Sequence, residues 1–272
     1  MKKIILLLIF NIFLFAKVNV ISSIAPIEFL VKQIGDGKVN SSIMVPAGAS
    51  PHTYEPKPSQ MVAISKADIY FAIGVEFEHS WLNKFKAQNR NLKIIDCSKE
   101  IKKIPITEGE EKGELDPHIW LSPKNLKKIS TCIESGLEEV DSKNSTFYKD
   151  NLNKLLNKID KLDKNVTSLT KPLKNRAFLV FHPSWGYFAK DYNLTQIAIE
   201  ISGKEPSPKE LIKVIKRAKK DNIKAIFTQP EFSDKSAKII ANELGVVVKK
   251  VSPLKENVLE NILEFAKALS GK

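Results

Sequence analysis

The chain has 272 residues, 43% of them apolar, and a formal charge of +12 from 43 Lys and Arg against 31 Asp and Glu. That length and apolar fraction are enough for one large core or two ordinary ones, and they exclude a disordered or fibrous chain. The lysines are scattered over helical faces without a basic block, an arginine cluster or interleaved aromatics, so the charge reads as a solvated surface and nucleic acid is not expected as a partner.

Met1-Lys2-Lys3 followed by the apolar run from Ile4 to Phe15 has the layout of a secretory signal, residues 1–16, with the cut expected near Ala16. A run of about 12 apolar residues falls short of the roughly 20 needed to span a bilayer, so export with cleavage, to a periplasm, is expected in place of a membrane anchor. No cysteine follows the run to carry a lipid. Val18 to Ile24 then reads as a strand, Pro26 to Ile34 as a helix stopped by Gly35, and Val39 to Val45 as a strand. Pro46 to His52 is all turn formers and small residues. A helix from Pro58 to Lys66, a strand from Asp68 to Ile73, a short helix around Trp81 to Phe85 and a strand from Lys93 to Ile95 follow. Ile104 to Glu114 is a proline, glycine and glutamate connection. Glu108, Glu110, Glu111 and Glu114 within it form a solvated acidic loop, with no imidazole or thiolate to hold a transition metal.

Pro123 opens a helix to about Val140. From Asn144 to Thr170 there is neither proline nor glycine, and apolar residues recur at Tyr148, Leu152, Leu155, Ile159, Leu162, Val166 and Leu169. Steps of three and four over that distance describe one long helix with a single apolar stripe, roughly 40 Å at ~1.5 Å per residue. Alternation resumes with strands at Ala177 to Phe181 and Leu194 to Ile201, a helix from Pro208 to Lys220, a strand from Lys224 to Phe227, a helix from Lys235 to Leu244, a strand from Val246 to Val251 and a closing helix from Glu256 to Leu269. The expected architecture is α/β: two βα lobes with parallel sheets joined by one long helix. The expected divisions are a signal at 1–16, an N-terminal lobe at 17–143, a linking helix at 144–171 and a C-terminal lobe at 172–272.

Three of the four histidines sit in loop-like settings rich in proline and aromatics: His52, His118 and His182. Ligands in sheets of this type settle outside the carboxyl ends of the strands, so the three rings are expected to meet in the cleft between the lobes. A set of neutral imidazoles suits zinc. No two of the histidines have the close spacing of an HExxH element, and there is no GxSxG elbow or glycine-rich phosphate loop. A binding site therefore fits better than a catalytic one, and no enzyme activity is expected. His79 follows a predicted strand but reads as a surface residue at a helix start. Cys97 and Cys132 fall in one lobe, and the sequence leaves their pairing open.

The segments Gly48-Ala49-Ser50-Pro51-His52-Thr53-Tyr54-Glu55-Pro56, Asp116-Pro117-His118-Ile119-Trp120-Leu121-Ser122-Pro123 and Phe181-His182-Pro183-Ser184-Trp185-Gly186-Tyr187-Phe188 resemble the signature segments of the periplasmic binding proteins that serve zinc and manganese ABC importers. The resemblance covers essentially the whole mature chain. It implies a metal ion held at the lobe interface by the histidines matching His52, His118 and His182, and delivery of that metal to a membrane permease driven by a separate ATPase; a monomer carrying Zn²⁺ is expected. Histidine at position 182 goes with zinc-type members, manganese-type members tending to a carboxylate there. Three departures stand out. Ile104 to Glu114 is short and lacks histidine. In Gln229-Pro230-Glu231 the glutamate follows the proline instead of preceding it. Ser252 stands where manganese-type members often have an aspartate ligand. With serine there, water or a more distant carboxylate is expected to complete the coordination, and the fourth ligand is left open among water, Glu231, His79 and other groups. The alternatives are the same scaffold selecting Mn²⁺ or Fe²⁺, a three-histidine zinc enzyme, or an adhesin.

Overall fold

The computed structural model describes residues 17–106, 113–200 and 205–271. The signal segment and Glu108, Glu110 and Glu111 lie outside the described residues. Two four-stranded, all-parallel sheets dominate. The first contains β1 (Val18–Ser22), β2 (Val39–Ile43), β3 (Ile69–Ala72) and β4 (Lys93–Asp96), in the order β2-β1-β3-β4. The second contains β5 (Ala177–Val180), β6 (Thr195–Ala198), β7 (Ala225–Thr228) and β8 (Val247–Lys250), in the order β6-β5-β7-β8. In each sheet the first strand in sequence pairs with the next two on either side, which is the topological switch point where a cleft opens beyond the strand ends.

Helices cover the sheets: α1 (Ala25–Gly35), α2 (Pro58–Lys66), α3 (Glu76–Gln88), α4 (Pro123–Val140), α5 (Ser145–Thr170), α6 (Gly186–Asp191), α7 (Pro208–Lys220), α8 (Lys235–Leu244) and α9 (Val258–Ser270). Their starts obey local chemistry. Proline occupies the first turn of α1, α2, α4 and α7, where no amide hydrogen is needed. Ser122 caps α4 by accepting from the Asn125 amide, and Ser207 and Glu210 form a capping box on α7. At Gly136 of α4 helix and sheet approach closely, since a Cβ there would lie 2.7 Å from both Phe71 and Ile95.

The stripe expected between Asn144 and Thr170 is buried in α5, with Tyr148, Leu152, Leu155, Ile159, Leu162 and Val166 all inside. It packs on α1 and α4 of the first lobe and on α9 of the second, so one element backs both. The core is continuous from Val18 through α5 to Trp185, Phe227 and Phe265 of the second lobe, where Trp185 and Phe265 stack at 3.7 Å.

Several expected boundaries are corrected. The helix placed around Trp81 to Phe85 is the 13-residue α3, because Glu76 and Phe77 already turn after Gly74 at φ +81°. Gly186–Asp191 forms a short helix that Pro183 and the glycine of its motif concealed. Strands expected to run on to Val45 and Ile201 end at Ile43 and Ala198, where the chain leaves the sheet for the cleft. Cys97, just beyond β4, is bonded to Cys132 of α4, which settles the pairing left open above.

Candidate metal centre

Each histidine loop is held by its own neighbours. The His52 loop leaves β2 and is tied down by the Phe77 amide donating to Pro51 O (3.3 Å), and by Tyr54, whose hydroxyl donates to Gln60 Oε1 (2.6 Å). In the His118 loop, Asp116 Oδ1 accepts from both the His118 amide and its ring Nδ1, each at 2.9 Å. A 3₁₀ turn at Ile119–Leu121 follows, and Trp120 Nε1 crosses to the second lobe to donate to Pro253 O at 2.8 Å. In the His182 loop, two residues past β5, the Gln229 amide makes a reciprocal pair with the backbone: the His182 amide donates to its oxygen (3.1 Å) and its nitrogen donates to His182 O (2.9 Å). Phe232 stacks on the imidazole at 4.9 Å.

These loops bring the three rings together. His118 Nε2 and His182 Nε2 are 3.2 Å apart, and one nitrogen from each of His52, His118 and His182 lies within 4.8 Å of the others. Behind each ring stands a carboxylate on Nδ1: Glu76 for His52 (3.2 Å), Asp116 for His118 (2.9 Å) and Glu200 for His182 (2.6 Å). A carboxylate taking the Nδ1 hydrogen fixes the tautomer that leaves Nε2 with its lone pair toward the centre, as metal-binding histidines require. The cleft that the rings line has about 20 Å³ open to a water-sized sphere, room for one ion or one water. Its wall includes Ser50, Trp120, Glu231, Phe232 and Leu254.

The two sides of the centre differ in exposure. His118 and His182 are buried, whereas the His52 side chain keeps 27% of its surface, so solvent reaches the cleft past His52. Burial pushes the His182 imidazole below its ordinary value against the opposing pull of Glu200, which favours the neutral, metal-competent ring. Burial tends to raise the Glu76 carboxyl, but its hydrogen bond and charge attraction to His52 win and bring it down to about 2.

The structure thus gathers all three expected histidines, while His79 lies exposed on α3. Nothing in the sequence singles out Glu76 and Glu200, because each reaches its ring from a different strand end. Asp116 could have been found from its two-residue offset to His118. Among the described residues no helix is long and apolar enough to cross a membrane.

The family model described as ZnuA, zinc-uptake complex component A periplasmic, matches residues 20–268. The chain belongs to this family. It is similar to a crystal structure of ZnuA with a TM-score of 0.89 and 40% identity, covering 94% of this chain and 98% of that one. High-affinity zinc uptake system protein ZnuA of Bacillus subtilis is 29% identical over 253 residues, 88% of this chain and 79% of that protein. A metal ABC transporter substrate-binding lipoprotein of Lactococcus lactis is 27% identical over 242 residues, 85% of this chain and 77% of that protein. As a ZnuA-family protein the chain is a metal-binding, extracytoplasmic solute-binding component of a metal ABC importer, and the family and two-lobe fold expected from the three histidine segments are borne out.

Proposed function

We propose that the protein captures Zn²⁺ on His52, His118 and His182 after export to the periplasm and hands it to the permease of an ABC importer, acting as a monomer without chemistry of its own. The observation that carries this reading is three imidazole nitrogens from both lobes within 4.8 Å, each ring backed by a carboxylate. An all-nitrogen set favours zinc over manganese, since affinity at such donors rises along the first row from Mn²⁺ toward Zn²⁺ and manganese prefers oxygen. Fe²⁺ stands on the weak side of the same order. The exposure of His52 gives the ion an entry.

The test is metal analysis of the purified protein together with competitive titration of the metal-free form by zinc and manganese, for the wild type and His118→Ala. One zinc per chain, weak competition by manganese and loss of tight binding in the variant are expected. Manganese held as tightly as zinc would move the selectivity, and unchanged binding by His118→Ala would remove the site.

A further inference from the structure

Three histidine nitrogens leave a zinc ion one ligand short of the four-coordinate, tetrahedral arrangement it takes in sites that hold it tightly. Two carboxylates line the cleft. Glu76 is committed, since its Oε1 takes His52 Nδ1 at 3.2 Å, and moving it would release the ring it orients. The three ring Nδ1 atoms pair with Glu76, Asp116 and Glu200, and Glu231 stands outside those pairs. Its Oε1 accepts from the Ser252 hydroxyl at 3.1 Å, and its Oε2 is buried without a hydrogen-bond partner among the described residues. Leaving a buried carboxylate oxygen unpaired costs at least about 1–3 kcal/mol, a cost that contact with a cation removes. Glu231 also adjoins Phe232, whose ring lies flat on His182, so its backbone is fixed beside one of the three rings. Its oxygens are not in the set of atoms mutually within 4.8 Å, so reaching the ion takes a rotation of the side chain. Among the described residues the hydroxyl of Ser252 is the one donor to this carboxylate, a restraint of about 1.5–3 kcal/mol that the pull of a divalent cation must overcome.

From this arrangement, and resting on the zinc-binding reading above, we propose that Glu231 is the fourth ligand of the ion in this chain, turning from Ser252 onto the metal as it binds. The ion is then closed off on the side away from His52, and Ser252 acts as the rest position for the carboxylate. Of the candidates named from the sequence, His79 is exposed on α3 and outside the cluster of ring nitrogens, and water is the rival that experiment must separate from Glu231.

The experiment compares the wild type with Glu231→Gln, Ser252→Ala and His118→Ala by competitive zinc titration, with crystals of the zinc-loaded wild type. Removing a group that merely supports a ligand weakens metal binding roughly 10- to 100-fold, so losing a ligand should cost Glu231→Gln at least about tenfold. Ser252→Ala should stay within a few-fold of the wild type, because the hydroxyl holds only the resting carboxylate. In the crystal a Glu231 oxygen should lie about 2.0–2.2 Å from the ion. Wild-type affinity in Glu231→Gln, or a water on the ion with Glu231 still on Ser252, overturns the assignment while a weakened His118→Ala leaves the three-histidine site standing. If His118→Ala also binds normally, both fail together.

Discussion

Glu78 is a carboxyl inside the first lobe, two residues after the Glu76 that holds His52. Its side chain is buried and accepts from the Ser23 hydroxyl and from the amides of Ile73 (3.0 Å) and Gly74 (2.8 Å). Tyr70 of β3 shares Ser23 with it, Asp96 at the end of β4 adds like charge, and Lys103 reaches the neighbouring Gly74. Desolvation outweighs the three donors and lifts the carboxyl from 4.5 to about 7. The folded protein then holds a proton that the unfolded chain releases above 4.5, so this group's stabilisation is complete below 4.5 and is lost as the pH climbs through about 7. At about 1.4 kcal/mol for each pH unit of that gap, the loss is about 3 kcal/mol. Glu78→Gln cannot titrate. It carries a constant cost for the amide facing Gly74 N, but it should lack the slope. Urea unfolding of both proteins at intervals from pH 4.5 to 8 measures the difference in stability directly. The wild type should lose about 3 kcal/mol relative to the variant across that window. A flat difference, or one that grows in favour of the wild type with rising pH, would refute the reasoning.

Replacing Cys97 and Cys132 by serine opens a loop of 35 residues and should cost about 4 kcal/mol, lowering Tm by on the order of 10 °C in calorimetry; an unchanged Tm would mean that the covalent link adds nothing to the packing of β4 against α4. Glu200→Ala should weaken zinc binding by about 10–100-fold, and Glu76→Ala by less, because the Glu200 side chain keeps 2% of its surface exposed and Glu76 41%. Isothermal titration of the two variants gives the order, and the reverse order would contradict the burial argument. The lobes should move little on binding, since α5 backs both and hydrogen bonds cross between them, among them Trp120 Nε1 to Pro253 O, Ser122 Oγ to Asp191 Oδ2 and Tyr187 Oη to Asp116 O. Solution scattering of metal-free and zinc-loaded protein should give nearly equal dimensions, and a large change would show a wide hinge. Trp120→Phe removes the first of those bonds and should cost about 1 kcal/mol in urea unfolding, with a null result placing the lobe contact in packing alone.

The sequence by itself determined the elements and their alternation. Proline and glycine mark where helices begin and strands end, and the stripe from Tyr148 to Val166 identifies α5 because a period near 3.6 is a local property that the chain carries whatever surrounds it. It also singled out His52, His118 and His182, since three imidazoles in proline-rich loops at strand ends are conspicuous in a chain with only four. What only the tertiary structure decided is who stands behind them. Glu76 and Glu200 reach their rings from the ends of β3 and β6, and Cys97 meets Cys132 across a strand and a helix. Such pairings depend on distances between segments far apart in the chain, set when two sheets and one long helix pack, and no local pattern of residues encodes them.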